Sequence, residues 1–174
     1  ERSSNVYYIA VVGGSQSEPG LALMAEEVGA GIARRGGVLV CGGGGGVMEA
    51  ASRGAMKSGG MVLGILPGNN PRKGNPYLTL AVATGLGEAR NAVIARTADA
   101  MIAVGGEYGT LSEIALAFKM GKPVVGLMTW KIKPPEIIGS EIIHCETAAG
   151  AVEEAWRAAR ASVRHETGCE RDPS

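Results

Sequence analysis

The stretch Val38–Lys57, VLVCGGGGGVMEAASRGAMK, decides the fold. A short apolar run, Val38 to Cys41, enters consecutive glycines, Gly42 to Gly46, and these open a segment with helical spacing. A short continuous apolar run reads as a strand buried on both faces, and clustered glycines read as a turn where backbone bends tightly or approaches a ligand. Gly59-Gly60 then stops the helix. The unit is strand, glycine loop, helix.

Outward from this stretch the same unit recurs. VYYIAVV, residues 6–12, is a strand that ends in Gly13-Gly14-Ser15. The segment 18–35 places Leu21, Met24, Ala25, Val28 and Ile32 on one helical face and stops at Gly36-Gly37. Residues 61–66 are a third strand, followed by a Pro-, Gly- and Asn-rich loop over 67–77. The spacing then predicts a strand over 79–83, a helix over 87–96 and a strand over 99–104 that enters GGEYGT, residues 105–110. A helix over 111–120, a strand over 123–128, a loop over 129–140, a strand over 141–145 and a helix over 147–164 follow, with a polar, frayed tail from 165 to 174. Such alternation predicts one α/β domain over residues 1–174: a Rossmann-like, doubly wound parallel sheet of six to seven strands with helices on both faces. In open sheets of this kind ligands bind at the carboxyl ends of the strands, and the glycine clusters after the first, second and fifth strands should converge on that edge.

Composition limits the function. The chain of 174 residues has 17 Lys plus Arg and 17 Asp plus Glu, a formal net charge of zero, which argues against a dedicated nucleic-acid polymer binder. Glycine, at 28 residues, is about twice its usual share and is clustered without period. Cys41, Cys145 and Cys169 are too few and too scattered for a disulfide framework, and suggest a reducing compartment. No apolar run reaches the roughly 18 residues of a membrane span, and no charged-then-apolar leader opens the chain, so the expectation is a cytoplasmic protein without membrane contact.

Three features carry chemistry. Gly43, Gly44 and Gly45 in the long glycine run could cradle a phosphate or ribose at a positive helix N-terminus; the alternative is a tight turn without ligand. The run fits neither a dinucleotide fingerprint nor a P-loop, since Val47 stands where the third glycine would fall and no G-K-[ST] follows. In GGEYGTLSE, Thr110 is expected to be a helix N-cap that holds a phosphate with the local N–H groups, or else half of a capping box with Glu113. Arg90 sits near a helix start, where the dipole disfavours a cation, so it is expected to meet an anionic ligand or a carboxylate, or to pair with Glu88. Neither His144/Cys145 nor His165/Cys169 has a second matching pair, so no metal site is predicted, and no nucleophile elbow is present. The helix over 111–120 is apolar nearly all round and predicts a homodimer or higher homo-oligomer.

The order IAVVGGSQ, GGGGGVMEAASRGAMKSGGMVLGILPG, AR, GGEYGTLSE, over roughly residues 6–128, resembles the LOG (LONELY GUY) family, also labelled lysine decarboxylase-like. The resemblance implies a Rossmann-like dimer. It also implies a phosphoribohydrolase that cleaves AMP or a cytokinin riboside monophosphate into base and ribose 5-phosphate, without a metal or organic cofactor. It assigns the catalytic pair to Arg90 and Glu113, the phosphate loop to Gly106, Gly109 and Thr110, and the first-loop serine, after Gly14, to Ser15. Three positions depart from the family pattern: Asn91 replaces a lysine, Gly105 a proline and Glu107 a glycine. With these the chain is similar to a sister branch, the molybdenum cofactor carrier proteins, which implies as the alternative a non-catalytic carrier of a phosphorylated pterin.

Overall fold

Chain order and sheet order diverge at one place, and that place positions the site. The computed structural model describes residues 6–135 and 139–169, of which 164–169 are described by their helical backbone alone. The elements run β1 (Tyr8–Gly13), α1 (Pro19–Arg34), β2 (Val38–Cys41), α2 (Val47–Lys57), β3 (Met61–Leu66), β4 (Leu80–Ala83), α3 (Asn91–Thr97), β5 (Ala100–Val104), α4 (Tyr108–Lys119), β6 (Val124–Leu127), β7 (Ile143–Cys145) and α5 (Ala148–Cys169). Short 3-10 turns at Pro71–Lys73 and Gly87–Arg90 precede β4 and α3. The seven strands form one sheet in the order β4-β3-β2-β1-β5-β6-β7, and the paired strands are parallel. The chain winds outward from β1 to β4, returns to place β5 beside β1, and winds outward the other way. The switch point therefore lies between β1 and β5, where a doubly wound sheet opens a crevice at its carboxyl edge.

Strand periodicity divides the core into two layers. Ile9 and Val11 of β1, with Ala100, Ile102 and Val104 of β5, pack under α1, α2 and α5. Ala10 and Val12, with Met101 and Ala103, pack under α3 and α4. Successive side chains of a strand point to opposite faces, which is why both strands read as unbroken apolar runs. No helix among the described residues is long and apolar enough to cross a membrane.

Helical glycines set one contact that hydropathy does not reveal. A Cβ on Gly29 of α1 would stand 1.9 Å from the Ala51 carbonyl oxygen, and one on Gly54 of α2 would stand 1.9 Å from that of Glu26. The two backbones touch, and Glu26 bridges them by pairing with Arg53 at 3.0 Å and Lys57 at 2.9 Å.

Three sequence expectations need correction. First, α4 begins at Tyr108, not residue 111, because Gly105 and Gly106 take positive φ and complete the turn early. Glu107 is its N-cap, in extended conformation and without a side-chain cap bond, so Thr110 lies inside the first turn and neither the N-cap nor the capping box forms. Second, the segment 87–96 is a 3-10 turn that passes into α3 at Asn91. Third, α5 continues through Cys169, so the tail is helical that far, and residues 170–174 lie outside the described residues. Leu116 and Phe118 of α4, and Met120 just after it, are partly buried against the second core layer. Exposed apolar residues also share one sheet face at β3 and β4, where Met61, Leu80 and Val82 are about half exposed.

Candidate functional site

At the switch point a cleft of about 620 Å³ opens between the loops that follow β1 and β5, the start of α2, and the turn before α3. Its lining includes Gly14, Ser15, Met48, Glu88, Arg90, Asn91, Glu107, Tyr108, Gly109, Thr110, Ser112 and Glu113. Arg90 is the one arginine or lysine among the lining residues, against the carboxyl groups of Glu88, Glu107 and Glu113.

Arg90 is anchored by backbone. Its Nη1 donates to the carbonyl oxygens of Gly42 and Ile65, at the carboxyl ends of β2 and β3, and its Nε donates to Asn91 Oδ1 at 3.0 Å. The expected ion pair with Glu88 does not form, because strand-end carbonyls offer the guanidinium better-placed acceptors. A guanidinium has five N–H donors; Nε and Nη1 are spent on the protein, which leaves the two of Nη2 for the cleft. Burial lowers the affinity of Arg90 for its proton, and the nearby Glu113 carboxylate offsets part of that.

Glu113 sits on the sheet-facing side of α4, 7% exposed. Its carboxylate accepts no hydrogen bond among the described residues. Burial raises its pKa from 4.5 to about 7, and Arg90 opposes the rise. A carboxyl group that titrates near neutrality, held without a partner at the edge of a cleft, is suited to exchange protons or to meet developing positive charge.

A polar relay joins the two sides of the site. Asn91 takes the Arg90 Nε–H at Oδ1 and donates through Nδ2 to Ser112 Oγ at 3.3 Å, and Ser112 Oγ donates to the Gly109 carbonyl oxygen at 2.7 Å. The relay fixes the guanidinium relative to the first turn of α4.

The long glycine run is closely packed. A Cβ on Gly42 would meet Arg90 Nη1 at 2.7 Å, on Gly43 Leu66 Cδ2 at 2.2 Å, on Gly44 Met48 Cε at 2.8 Å, and on Gly46 the Gly14 oxygen at 2.3 Å. Asn75, from the loop before β4, closes over the run by donating its N–H to the Gly43 oxygen at 2.8 Å and its Nδ2 to the Gly44 oxygen at 3.0 Å.

Of the residues singled out in the sequence, the fold brings Gly14, Ser15, Arg90, Gly109, Thr110 and Glu113 to one cleft, whereas Gly43, Gly44, Gly45 and Gly106 lie outside its lining. Gly106 instead backs the turn, since a Cβ there would fall 2.3 Å from Thr110 Oγ1. The sequence reading missed the use of Asn91 and Ser112, and it missed Tyr108, which is 79% exposed at the cleft. An aromatic residue inside a glycine-rich turn was the available signal for Tyr108; nothing in the sequence pairs Asn91 with Ser112. Among the described residues no group of three or more His, Cys, Asp or Glu is placed to hold a metal ion, and the side chains of His165 and Cys169 lie outside the described residues.

Residues 6–149 match the SLOG cluster4 family. The structure of the molybdenum cofactor binding protein from the phototrophic bacterium Rippkaea orientalis is similar with a TM-score of 0.79 at 35% identity, over 87% of this chain and 96% of that one. The Moco carrier protein from Chlamydomonas reinhardtii is similar with a TM-score of 0.79 at 31% identity, over 90% of this chain and 99% of that one. Cytokinin riboside 5'-monophosphate phosphoribohydrolase LOG from Oryza sativa subsp. japonica is 40% identical over 94 residues, which span 52% of this chain and 38% of the rice protein.

Proposed function

The chain belongs to the SLOG cluster4 family, and from that premise we propose that its switch-point cleft binds a phosphorylated heterocyclic ligand and hydrolyses the N-glycosidic bond of a nucleoside 5'-monophosphate. The observation that carries the reading is Glu113: a largely buried residue whose carboxyl group, open to the cleft, has a pKa of about 7 and no hydrogen-bond partner among the described residues, in one cleft with an arginine whose Nη2 is uncommitted there. In the reaction the C1′–N bond breaks and its electron pair leaves with the base. Water adds its hydroxyl to C1′, and the base takes up a proton. The ring carbon becomes oxocarbenium-like on the way, so the Glu113 carboxylate opposes the positive charge at C1′ and accepts the proton of the attacking water. Arg90 faces the leaving base and offsets its negative charge. The phosphate is held by Gly14 and Ser15 together with Gly109 and Thr110, in the cleft that Glu107 also lines. No cofactor or metal takes part in this scheme.

Incubation with AMP and with a cytokinin riboside monophosphate, followed by chromatography, should reveal free base. Glu113→Gln should abolish release while ligand binding persists; undiminished release from that variant overturns the role given to Glu113.

A second reading, retention of a phosphorylated pterin without turnover, is favoured by Asn91 and Glu107 and by the likeness to the Rippkaea and Chlamydomonas proteins, which cover the chain more fully than the rice enzyme does. Absence of base release from folded protein, with retention of molybdopterin on gel filtration, selects it. Both readings place the protein in the cytoplasm as a homodimer, built by the half-exposed apolar residues of β3 and β4. Sedimentation at micromolar concentration should give twice the chain mass, and a monomer excludes the dimer.

A further inference from the structure

The two ends of the sheet are built differently. β7, at one end, carries His144 at its centre and is flanked by the exposed Glu141 and Glu146. Charged residues of that kind keep a sheet edge from pairing with another chain. β4, at the other end, has no such guard: residues 74–87 contain no charged side chain, and Leu80–Ala83 contains no proline. Its main chain is committed on one side. The Thr79 N–H donates to the Val62 carbonyl oxygen of β3 at 2.9 Å. Main-chain groups of alternate residues turn to opposite neighbours, so Thr79, Ala81 and Ala83 face β3, whereas Leu80 and Val82 turn their N–H and C=O groups outward. The apolar layer also runs out before the sheet does. Ile65 of β3 is buried in the second core layer, but Val82 beside it is 46% exposed, and Leu80 is 57% exposed.

We propose that β4 pairs antiparallel with β4 of a second copy about a two-fold axis at Ala81, so that two sheets join into one. A helix packed on this edge would cover the apolar side chains but not the outward N–H and C=O groups; an extended copy of the same strand takes both. The register follows from the alternation. With Ala81 opposite Ala81 of the second copy, Leu80 stands opposite Val82 of that copy, and each such pair exchanges both N–H···O bonds. The two-fold repeats the pair, and all four apolar side chains fall on one face, where cross-strand neighbours cover each other. The alanines occupy the closer, non-hydrogen-bonded position, where small side chains fit. A two-fold contact brings like residues together, and the neutral stretch 74–87 lets it do so without like-charge repulsion. Strand direction reverses across the axis, so the two clefts open at opposite ends of the joined sheet and each works with its own residues. The pairing rests on the homodimer reading above and names the contact that makes it.

Cysteine crosslinking and sedimentation test it together. In Ala81→Cys the paired residues lie about 4.5 Å apart between Cα atoms, within disulfide reach. Mild oxidation should give mostly crosslinked dimer on a non-reducing gel. Ala83→Cys places its two copies roughly 13 Å apart and should stay at the level of the wild-type chain. Val82→Pro removes one outward N–H per copy without touching the bonds to β3, so the chain should fold while its dimer dissociation constant rises about thirtyfold or more, the scale of two lost backbone hydrogen bonds. Val82→Ala, which keeps the N–H, should raise it less. A dimer in which Ala81→Cys crosslinks no better than Ala83→Cys, or a folded Val82→Pro chain that dimerises as tightly as wild type, overturns the strand pairing and leaves the homodimer standing. If Val82→Pro does not fold, the crosslinking comparison decides alone. A wild-type chain that sediments as a monomer overturns both.

Discussion

Arg90 can occupy its seat only because residue 42 has no side chain: a Cβ on Gly42 would lie 2.7 Å from Arg90 Nη1, the nitrogen that donates to the carbonyl oxygen of Gly42 itself. The backbone at Gly42 lies outside the left-handed region, so alanine is conformationally permitted there, and the obstacles are the guanidinium and Met48 Sδ at 2.8 Å. Gly42→Ala should therefore cost about 1–3 kcal/mol of stability and lower base release more than tenfold. In an Arg90→Ala background the same substitution should cost less, because Met48 is flexible and gives way. Additive thermal-denaturation losses in the double mutant would contradict this account of the seat.

Glu113 ties stability to pH. Its folded-state pKa of about 7 lies above the ordinary 4.5, so the folded state keeps a proton that the unfolded chain has already released. The stabilisation is full below about pH 4.5 and is lost as pH rises to 7 and beyond, at most about 3 kcal/mol in all. Glu113→Gln removes this loss. The melting temperature of the variant minus that of the wild type should grow between pH 5 and pH 8, and a constant difference over that range would show that the carboxyl group titrates normally.

The same titration should govern turnover. If the Glu113 carboxylate opposes the oxocarbenium charge, base release rises with pH through an apparent pKa near 7 and then levels. A rate that falls through pH 7 would make Glu113 an acid rather than an acceptor.

Asn91 lies between Arg90 and the first turn of α4. Asn91→Asp keeps the acceptor for Arg90 Nε and adds a negative charge near Glu113, so the pH midpoint just described should move upward. Asn91→Ala should cost about 1 kcal/mol through the lost hydrogen bonds, with a smaller effect on that midpoint. A midpoint unmoved by Asn91→Asp would place the Asn91 side chain away from the Arg90–Glu113 pair.

The α1–α2 contact is the least forgiving place in the fold. Gly54→Ala forces a methyl to within 1.9 Å of the Glu26 carbonyl oxygen, so the helices must separate. A loss of more than about 2 kcal/mol in denaturant unfolding is expected. A neutral outcome, against the ordinary helix-propensity gain of alanine over glycine, would mean that the two helices are not in backbone contact.

Much was legible from order and period alone. Apolar runs of strand length, broken by glycines and alternating with helical segments, specify a parallel sheet covered on both faces, because only that arrangement buries such strands on both sides. The convergence of the loops after the first, second and fifth strands on one edge follows from that topology, and the sequence motifs point to Arg90 and Glu113. What the sequence could not decide is what each group touches. The glycine run reads as a ligand cradle or a tight turn, and only the fold shows that its missing side chains make room for Arg90, Leu66, Met48 and Gly14. Thr110 looked like a cap, but positive φ at Gly105 and Gly106 starts the helix earlier. The raised pKa of Glu113, the backbone anchoring of Arg90 and the exposed face of Tyr108 depend on neighbours from distant segments. Periodicity reports which face of an element is buried; only the folded chain sets which atoms meet there, and the chemistry of the cleft follows from those meetings.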